Sequence, residues 1–412
     1  MPKPGSASIP REARELAQAR SLAAGGDAMI EVAIALVILH RTHSPAALGL
    51  VLSMPWWAGI ISHLTSTAWI DRVSRRTILI WGDILRGILV LAIVAIPSLI
   101  GDTVAYFFLF GVAALYNNAF QAMTPVLSRD ALKGMIGLIQ QWESLAAAAA
   151  YIIVSIGFVR ASTIPWIFSL AALLFAVSAF RIGTIKTEKS AWLPHEEAPS
   201  APTSIRQQYG EGFAAFRNNR TLSWLTGISF LGAALVFGAN VLTAPAMRRL
   251  WHQPTARYGW ALLAIAIGQW LGGKLLTTTK VQNMTLKSRI VVGFSGLSLA
   301  FLALGTWHEI AVALIILVGA GTANAMASRA VSQWIQTYTP KNILGRVMSL
   351  RGLFLISGAG IGSLLAGIFA TRFGLVTTFY SWGILGLVIV LTAGAVPFIQ
   401  TQDSAGVKQT LQ

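Results

Sequence analysis

Residues 70–76 read Ile-Asp-Arg-Val-Ser-Arg-Arg and lie between two long apolar segments, 45–69 and 77–99. Each segment is long enough to cross a bilayer, because about 20 apolar residues span its hydrocarbon core of about 30 Å. Two membrane helices that are joined by so short a loop must be antiparallel neighbours. Short basic loops are retained in the cytoplasm, so the three arginines predict that this loop is cytoplasmic.

The composition of the whole chain predicts an all-α integral membrane protein. Apolar residues make up 55% of the 412 residues and charged residues 11%, against roughly 45–50% and about 25% in soluble domains. The sequence lacks the ten-residue segments of alternating polarity that indicate a transmembrane barrel, so helices must satisfy the backbone in lipid. The net charge of +16 fits basic loops that meet anionic headgroups. We therefore expect membrane lipid, and no nucleic acid, as a partner.

The sequence carries no signature of a metal site or of an enzyme. It has no cysteine, and its six histidines show no metal-binding spacing such as HExxH. A nucleotide-binding loop is absent as well. We therefore predict no metal, no cofactor and no enzymatic activity. The apolar run after the polar first 20 residues has no small-residue cleavage site, which predicts a retained first helix and not a signal peptide.

The apolar segments predict twelve membrane helices. An even number of spans puts both termini on the same side of the bilayer. The predicted helices cover residues 21–40, 46–69, 77–99, 103–124, 136–158, 162–183, 221–243, 257–276, 289–306, 309–335, 347–370 and 374–399.

One long polar segment, residues 184–220, separates two sets of six predicted helices. Its Lys, Glu and Pro content is typical of a solvated linker. We therefore predict an N-terminal bundle (1–183), a cytoplasmic linker (184–220) and a C-terminal bundle (221–412). With the 70–76 loop inside, only six of the 31 Lys and Arg residues fall outside, which predicts cytoplasmic termini in a bacterial inner membrane. Those six are Arg41, Arg160, Arg248, Arg249, Arg257 and Arg372.

Three carboxylates within predicted helices are candidates for proton coupling. A charge in the middle of a membrane helix costs at least about 2.5 kcal/mol on insertion scales, so it indicates a function. Asp27 and Glu31 stand four residues apart, hence on one face of the first helix, with Glu31 near mid-membrane. Glu143 lies about two turns into the fifth helix. The alternative for Asp27 is a local cap or pair that serves only assembly.

The loop motif and the topology around it resemble the major facilitator superfamily. Members carry Gly-x-x-x-Asp-Arg-x-Gly-Arg-Arg between their second and third helices. This chain has the four charged residues in register, with Thr67 and Ser74 in place of the glycines. These four charged residues are Asp71, Arg72, Arg75 and Arg76.

The likeness extends over most of the chain to one branch of that family, the macrolide-efflux proteins and the enterobactin exporter. It is carried by Gly26-Asp27, by Asp83 and Arg86 after the loop, and by Leu-Gly-Arg-Val at 344–347. The chain is also similar to the lysophospholipid transporter around Glu143. The resemblance implies a secondary active transporter that works as a monomer on a small-molecule substrate.

In the resembling fold, helices one, four, five and ten line a central cavity. Glu31 and Glu143 would there serve proton coupling or bind a cationic substrate. Polar and aromatic side chains of these helices, with a further wall from helices seven and eight, are candidate substrate ligands: Asn117, Asn118, Gln121, Trp142, Asn240, Gln269, Asn324 and Arg329. Interhelical hydrogen bonds without a ligand are the alternative for these residues.

The charged loop is predicted to act as a gate. Asp71 can accept hydrogen bonds from the backbone N–H groups at a helix N-terminus, where the helix dipole is positive. The arginines can pair with acids or phosphates. In the resembling family the charged loop contacts helix eleven, and this contact, which we call the latch, stabilises the outward-open state. The gating set is then Asp71, Arg72, Arg75, Arg76, Asp83, Arg86 and Arg346. The alternative is that the arginines only set the topology.

We predict a proton-coupled exporter of a small amphipathic molecule, drug-like or siderophore-like. Two alternatives stay open. The similarity around Glu143 favours a lysophospholipid flippase-like carrier. Residues 146–151 are Ala-Ala-Ala-Ala-Ala-Tyr, where exporting antiporters of the resembling family carry Gly-Pro-x-x-x-Gly, and this permits an importer of a siderophore or another nutrient.

Overall fold

The computed structural model describes residues 9–70, 73–128, 131–157, 164–186, 192, 217, 219–339 and 341–395. Within these ranges the chain forms twelve helices of eighteen or more residues and no β-strand. A 3-10 turn, Thr255–Arg257, precedes the eighth, and a four-residue helix, Thr279–Gln282, precedes the ninth. The long helices are α1 (Arg11–Thr42), α2 (Pro45–Ile70), α3 (Arg75–Ala95), α4 (Leu99–Ser128), α5 (Leu132–Gly157), α6 (Ile164–Thr184), α7 (Arg220–Arg249), α8 (Tyr258–Leu275), α9 (Leu286–Thr306), α10 (Ile310–Tyr338), α11 (Lys341–Phe373) and α12 (Leu375–Ala395).

These helices confirm the predicted all-α membrane fold. Each predicted span coincides with one long helix. Ten of the helices in the described ranges are long and apolar enough to cross a membrane, and α5 and α8 are not among the ten. Membrane crossing by those two helices therefore stays a prediction.

The first helix begins ten residues earlier than predicted, at Arg11 instead of residue 21. Residues 11–20, Arg-Glu-Ala-Arg-Glu-Leu-Ala-Gln-Ala-Arg, are strong helix formers. Arg11 also pairs with Glu15 one turn on, at 2.8 Å. Leu16 and Ala17 on the other face are fully buried. A search for apolar runs misses this amphipathic segment, because only one face of it is apolar.

The helices pack in two sets, α1–α6 and α7–α12. In the first set α1 packs against α5 and α6, and α4 packs against α2 and α3. In the second set α10 packs against α8 and α9, and α7 packs against α11. The sets meet along α2 with α11 and along α5 with α8. The predicted division into domains stays a prediction, and most of the 184–220 linker lies outside the described residues.

The two sets approach most closely at one end of the bundle. We call this end, which holds the α1–α2 loop, the 43–44 side, and the end with the α2–α3 loop the 71–74 side. A Cβ atom on Gly49 of α2 would lie 2.6 Å from the Ser363 carbonyl oxygen and 3.0 Å from Gly367 Cα of α11. The backbone N–H of Ala46 donates to Thr371 Oγ1 at 2.9 Å. Glycines therefore let the backbones of α2 and α11 touch here.

Candidate functional site

A cavity of about 450 Å³ lies between the two sets of helices. It is lined by α1, α2 and α4 from the first set and by α7, α8 and α11 from the second. Trp56 and Phe237 meet at its wall, with ring centroids 4.3 Å apart. Tyr106, Phe110 and Ile356 add apolar surface. The wall thus offers aromatic faces on which a bulky molecule can pack.

Four of the predicted substrate ligands lie at this cavity. Asn117, Asn118 and Gln121 come from α4, and Asn240 comes from α7. A side-chain amide can both donate and accept hydrogen bonds. The cavity therefore combines aromatic surface with uncharged polar groups from both sets of helices.

The other four predicted ligands lie away from the cavity. Trp142 lines a groove between α1, α5 and α6, and Gln269 is exposed on α8. Asn324 borders a void of about 20 Å³ inside the second set. Arg329 lines a separate pocket at the 71–74 side. A substrate in the central cavity does not reach these residues in this conformation.

The packing of α8 against α10 explains where Gln269 lies. A Cβ atom on Gly272 would come within 2.7 Å of the Thr322 carbonyl oxygen, and Gly268 approaches Val318 as closely. This glycine face of α8 is therefore taken up by α10. Gln269 is one residue past Gly268, about 100° around the helix, and it points outward.

Glu31 faces the cavity without an ion pair. Among the described residues, no Lys or Arg nitrogen lies within 4.0 Å of its carboxylate. Tyr106, Tyr151 and Tyr258 lie near it. The Tyr258 hydroxyl, from the second set, also donates to the Asn240 carbonyl oxygen at 3.4 Å. Glu31 thus lies where groups from both sets meet.

Asp27, in contrast, belongs to a buried ion-pair network. Nη1 of Arg86 donates to the two Asp27 oxygens at 3.0 and 3.2 Å, and Nη2 of Arg86 pairs with Asp83. Asp83 also accepts a hydrogen bond of 2.6 Å from Ser178 Oγ. The Arg86 guanidinium lies 4.3 Å from the Tyr116 ring centroid. The network therefore gives each buried charge a partner and joins α1, α3, α4 and α6.

Arg20 extends this network to Glu143. Its Nε lies 2.6 Å from Glu143 Oε1, and its Nη1 lies 3.6 Å from Asp27 Oδ2. Arg20 is not among the predicted site residues, because it falls in the polar first 20 residues, before the first predicted span. Arg20 and Asp27 stand seven residues apart, two turns on one helix face, and this spacing is the signal that could have found the pair.

The predicted gating residues occupy different places. Asp71 and Arg72 lie outside the described residues. Arg76 donates to the Gly183 carbonyl oxygen and lies 5.6 Å from the Trp192 ring centroid. These contacts hold the start of α3 to the end of α6 and to Trp192 of the linker.

The remaining gating residues are described, and of these Asp83 and Arg86 pair with each other. Arg75 begins α3, and Arg346 is half-buried in the second turn of α11. Asp83 and Arg86 lie inside the first set. The proposed latch between α11 and the α2–α3 loop therefore stays a prediction.

Comparisons with known proteins agree with this architecture. The family model described as Major Facilitator Superfamily matches residues 16–354. The multidrug efflux pump Tap of Mycobacterium tuberculosis is 24% identical, over 93% of both chains. The enterobactin exporter EntS of Salmonella typhimurium is 26% identical, over 89% of this chain and 88% of its own.

A solved structure shares the fold at lower sequence identity. The nucleoside transporter NupG superposes with a TM-score of 0.76 over 94% of this chain and 99% of its own, at 14% identity. The match to the family model covers most of the chain, and the fold agrees with it along nearly the whole length. The chain therefore belongs to the Major Facilitator Superfamily, as a multi-pass membrane transporter and not an enzyme.

Proposed function

We propose that this transporter exports a small amphipathic molecule in exchange for protons. The names of the two relatives, a multidrug efflux pump and an enterobactin exporter, support export. The basic 70–76 loop supports a bacterial inner-membrane location with both termini in the cytoplasm. The cavity supports an amphipathic cargo, since Trp56 and Phe237 offer apolar surface and amides lie on α4 and α7.

The conformation supports alternating access. The two sets touch at the 43–44 side, where Arg249 Nη2 also donates to the His43 carbonyl oxygen at 3.0 Å. At the opposite end, Cβ atoms on Gly345 and Gly352 of α11 would meet no atom of the described residues within 4 Å. We propose that the cavity alternates sides as the two sets rock. Asp71, Arg72, Arg75, Arg76 and Arg346 would meet when the 71–74 side closes.

The proton coupling that we propose depends on one observation, the position of Glu31 at the cavity without an ion pair. A carboxylate in a membrane protein interior is costly unless it is paired or protonated. Asp27 and Glu143 already have arginine partners. Glu31 is therefore the acid that lacks a counter-charge among the described residues, and we assign the exchanged proton to it. Asp27 and Glu143 would respond as Arg20 moves between them.

Glu31→Gln is expected to abolish transport that is driven by a proton gradient. Glutamine resembles protonated glutamate in size and in offering both a donor and an acceptor, but it cannot release a proton. In proteoliposomes with an acidic lumen, cargo uptake should fall to the level of protein-free liposomes. Cargo exchange without a gradient should persist. The cargo panel is hydrophobic cations, catecholate siderophores and lysophospholipids.

The matched control is Glu309→Gln, which removes an exposed carboxylate at the start of α10, away from the cavity. It should transport like the unaltered protein. Gradient-driven uptake that survives in Glu31→Gln would contradict the coupling role. Uptake that needs an acidic exterior would contradict export, because it would indicate symport.

Asn117→Ala is expected to weaken cargo binding, whereas Asn324→Ala is not. The two asparagines lie on corresponding helices, α4 and α10, but only Asn117 lines the central cavity. Loss of one neutral hydrogen bond of about 0.5–1.5 kcal/mol raises a dissociation constant about 2- to 12-fold. Cargo titration by intrinsic tryptophan fluorescence measures the change. Equal effects of both substitutions would show that these amides serve helix packing.

A further inference from the structure

A second polar pocket lies at the 71–74 side, apart from the central cavity. Its volume is about 610 Å³, and it lies between the end of α8, the start of α9 and the last turns of α10. We call it the 8–9–10 pocket. Its polar lining includes Gln282, Arg289, Arg329, Ser332, Gln333 and Gln336.

Two arginines give this pocket its charge. Arg289 is only 8% exposed. Its Nη2 donates to the Gln282 carbonyl oxygen at 2.8 Å, and its Nη1 to Gln333 Oε1 at 3.4 Å. Its Nε is buried and has no hydrogen-bond partner among the described residues. Arg329 lies across Gly273, where a Cβ atom would come within 2.6 Å of its Nη1.

No described carboxylate neutralises these arginines. Among the described residues, none of the side chains that line the pocket is acidic. The whole sequence between Glu211 and Asp403 holds a single acid, Glu309. It precedes α10 at the other end of that helix, about 30 Å from Arg329 at a rise of 1.5 Å per residue. A buried guanidinium that meets only neutral oxygens retains unsatisfied charge, which favours an anion as ligand.

The level of the pocket in the membrane indicates where that anion comes from. Trp270 of α8 is 56% exposed, and Lys274 Nζ lies 3.9 Å from its ring centroid. Exposed Trp and a neighbouring Lys near a helix end are typical of the headgroup region. Basic pockets between membrane helices at this level bind anionic headgroups.

We propose that the 8–9–10 pocket binds the phosphate group of an anionic phospholipid. Arg289 and Arg329 hold the phosphate oxygens, and Ser332 and Gln336 supply further polar groups at the rim. The acyl chains lie along the outer face of α8, where Leu271 and Leu275 are exposed. Planar guanidinium groups suit phosphate oxygens, because they donate in a fixed geometry.

Native mass spectrometry of the delipidated full-length protein tests the proposal. The protein is titrated with phosphatidylglycerol, with phosphatidylcholine, and with inorganic phosphate. Phosphatidylglycerol should bind more tightly than phosphatidylcholine. Arg289→Gln and Arg329→Gln should each weaken phosphatidylglycerol binding about tenfold or more, because each removes a charge-assisted hydrogen bond.

The controls separate this site from general charge attraction and from misfolding. Lys280→Gln removes the same charge from an exposed residue nearby that does not line the pocket, and it should bind the lipid normally. Arg289→Lys keeps the positive charge, so it should recover part of the binding that Arg289→Gln loses. This variant tests the role of the charge even where Arg289→Gln folds poorly. Equal losses in Lys280→Gln and Arg329→Gln would overturn the proposal. Displacement of the lipid by millimolar phosphate would overturn its assignment to a lipid and indicate a site for soluble anions.

Discussion

Arg86→Ala is expected to destabilise the protein by about 3–5 kcal/mol, the cost of removing one partner of a buried ion pair. Arg86 is fully buried, and it pairs with both Asp27 and Asp83. Its loss would leave Asp83 with no cationic partner among the described residues and Asp27 with only the longer Arg20 contact of 3.6 Å, both in the interior of the first set. The free energy of unfolding in mild detergent, from urea titration, measures the effect.

Two further variants show whether charge is the cause. Arg11→Ala breaks the pair with Glu15, but Arg11 is 87% exposed, so its loss should cost about 0–1 kcal/mol. Asp27→Asn with Asp83→Asn and Arg86→Met removes the three charges of Arg86 and its two partners, while Arg20 keeps its pair with Glu143, and this variant should regain much of the stability. An Arg86→Ala protein as stable as Arg11→Ala would contradict the role of the network.

The positions of the helices could be predicted from the sequence because the bilayer imposes their length. A span needs about 20 apolar residues whatever its neighbours are. The basic loops predict on which side of the bilayer each helix end lies. The start of α1 could not be predicted in this way. Residues 11–20 are helical because Leu16 and Ala17 bury one face against other helices, which is a tertiary effect.

The candidate site was predictable only in part. Glu31 of α1 and the α4 amides were predicted from polar residues within apolar spans, and they lie at the cavity. Gln269 and Asn324 also lie within predicted spans, but the rotation of α8 and α10 directs them elsewhere. That rotation depends on which glycines meet which backbone, such as Gly272 against Thr322. A single sequence shows that glycines are present but does not show their partners.

The neighbours of Arg20 and Glu31 could not be predicted either, because they come from helices that are distant in the sequence. Arg20 and Glu143 lie more than a hundred residues apart in the sequence, and they meet only because α1 packs against α5. The tyrosines around Glu31 come from α4, α5 and α8. A tyrosine in a membrane helix is common near interfaces, so its type alone does not indicate a role beside a carboxylate.

Gly49→Leu is expected to prevent the two sets from closing at the 43–44 side. The added side chain would meet the Ser363 carbonyl oxygen and Gly367 Cα, which belong to the backbone of α11 and cannot turn away. Overpacking of about 1–3 kcal/mol lowers the population of the closed state about 5- to 150-fold relative to the alternative. Because transport needs both states, its rate should fall with this population.

The absence of cysteine from the sequence makes this shift measurable. Ala46→Cys with Thr371→Cys introduces the only two thiols, at residues whose N–H and hydroxyl are 2.9 Å apart in the closed state. A short bifunctional crosslinker should join them readily in this background and much less after Gly49→Leu. Gly319→Leu is the matched control, since a Cβ atom there meets no atom within 4 Å in the part of the chain that the structure describes, and it should leave crosslinking and transport unchanged. Undiminished crosslinking after Gly49→Leu would mean that α2 and α11 tolerate a wider separation, and that the glycine contact does not control closure.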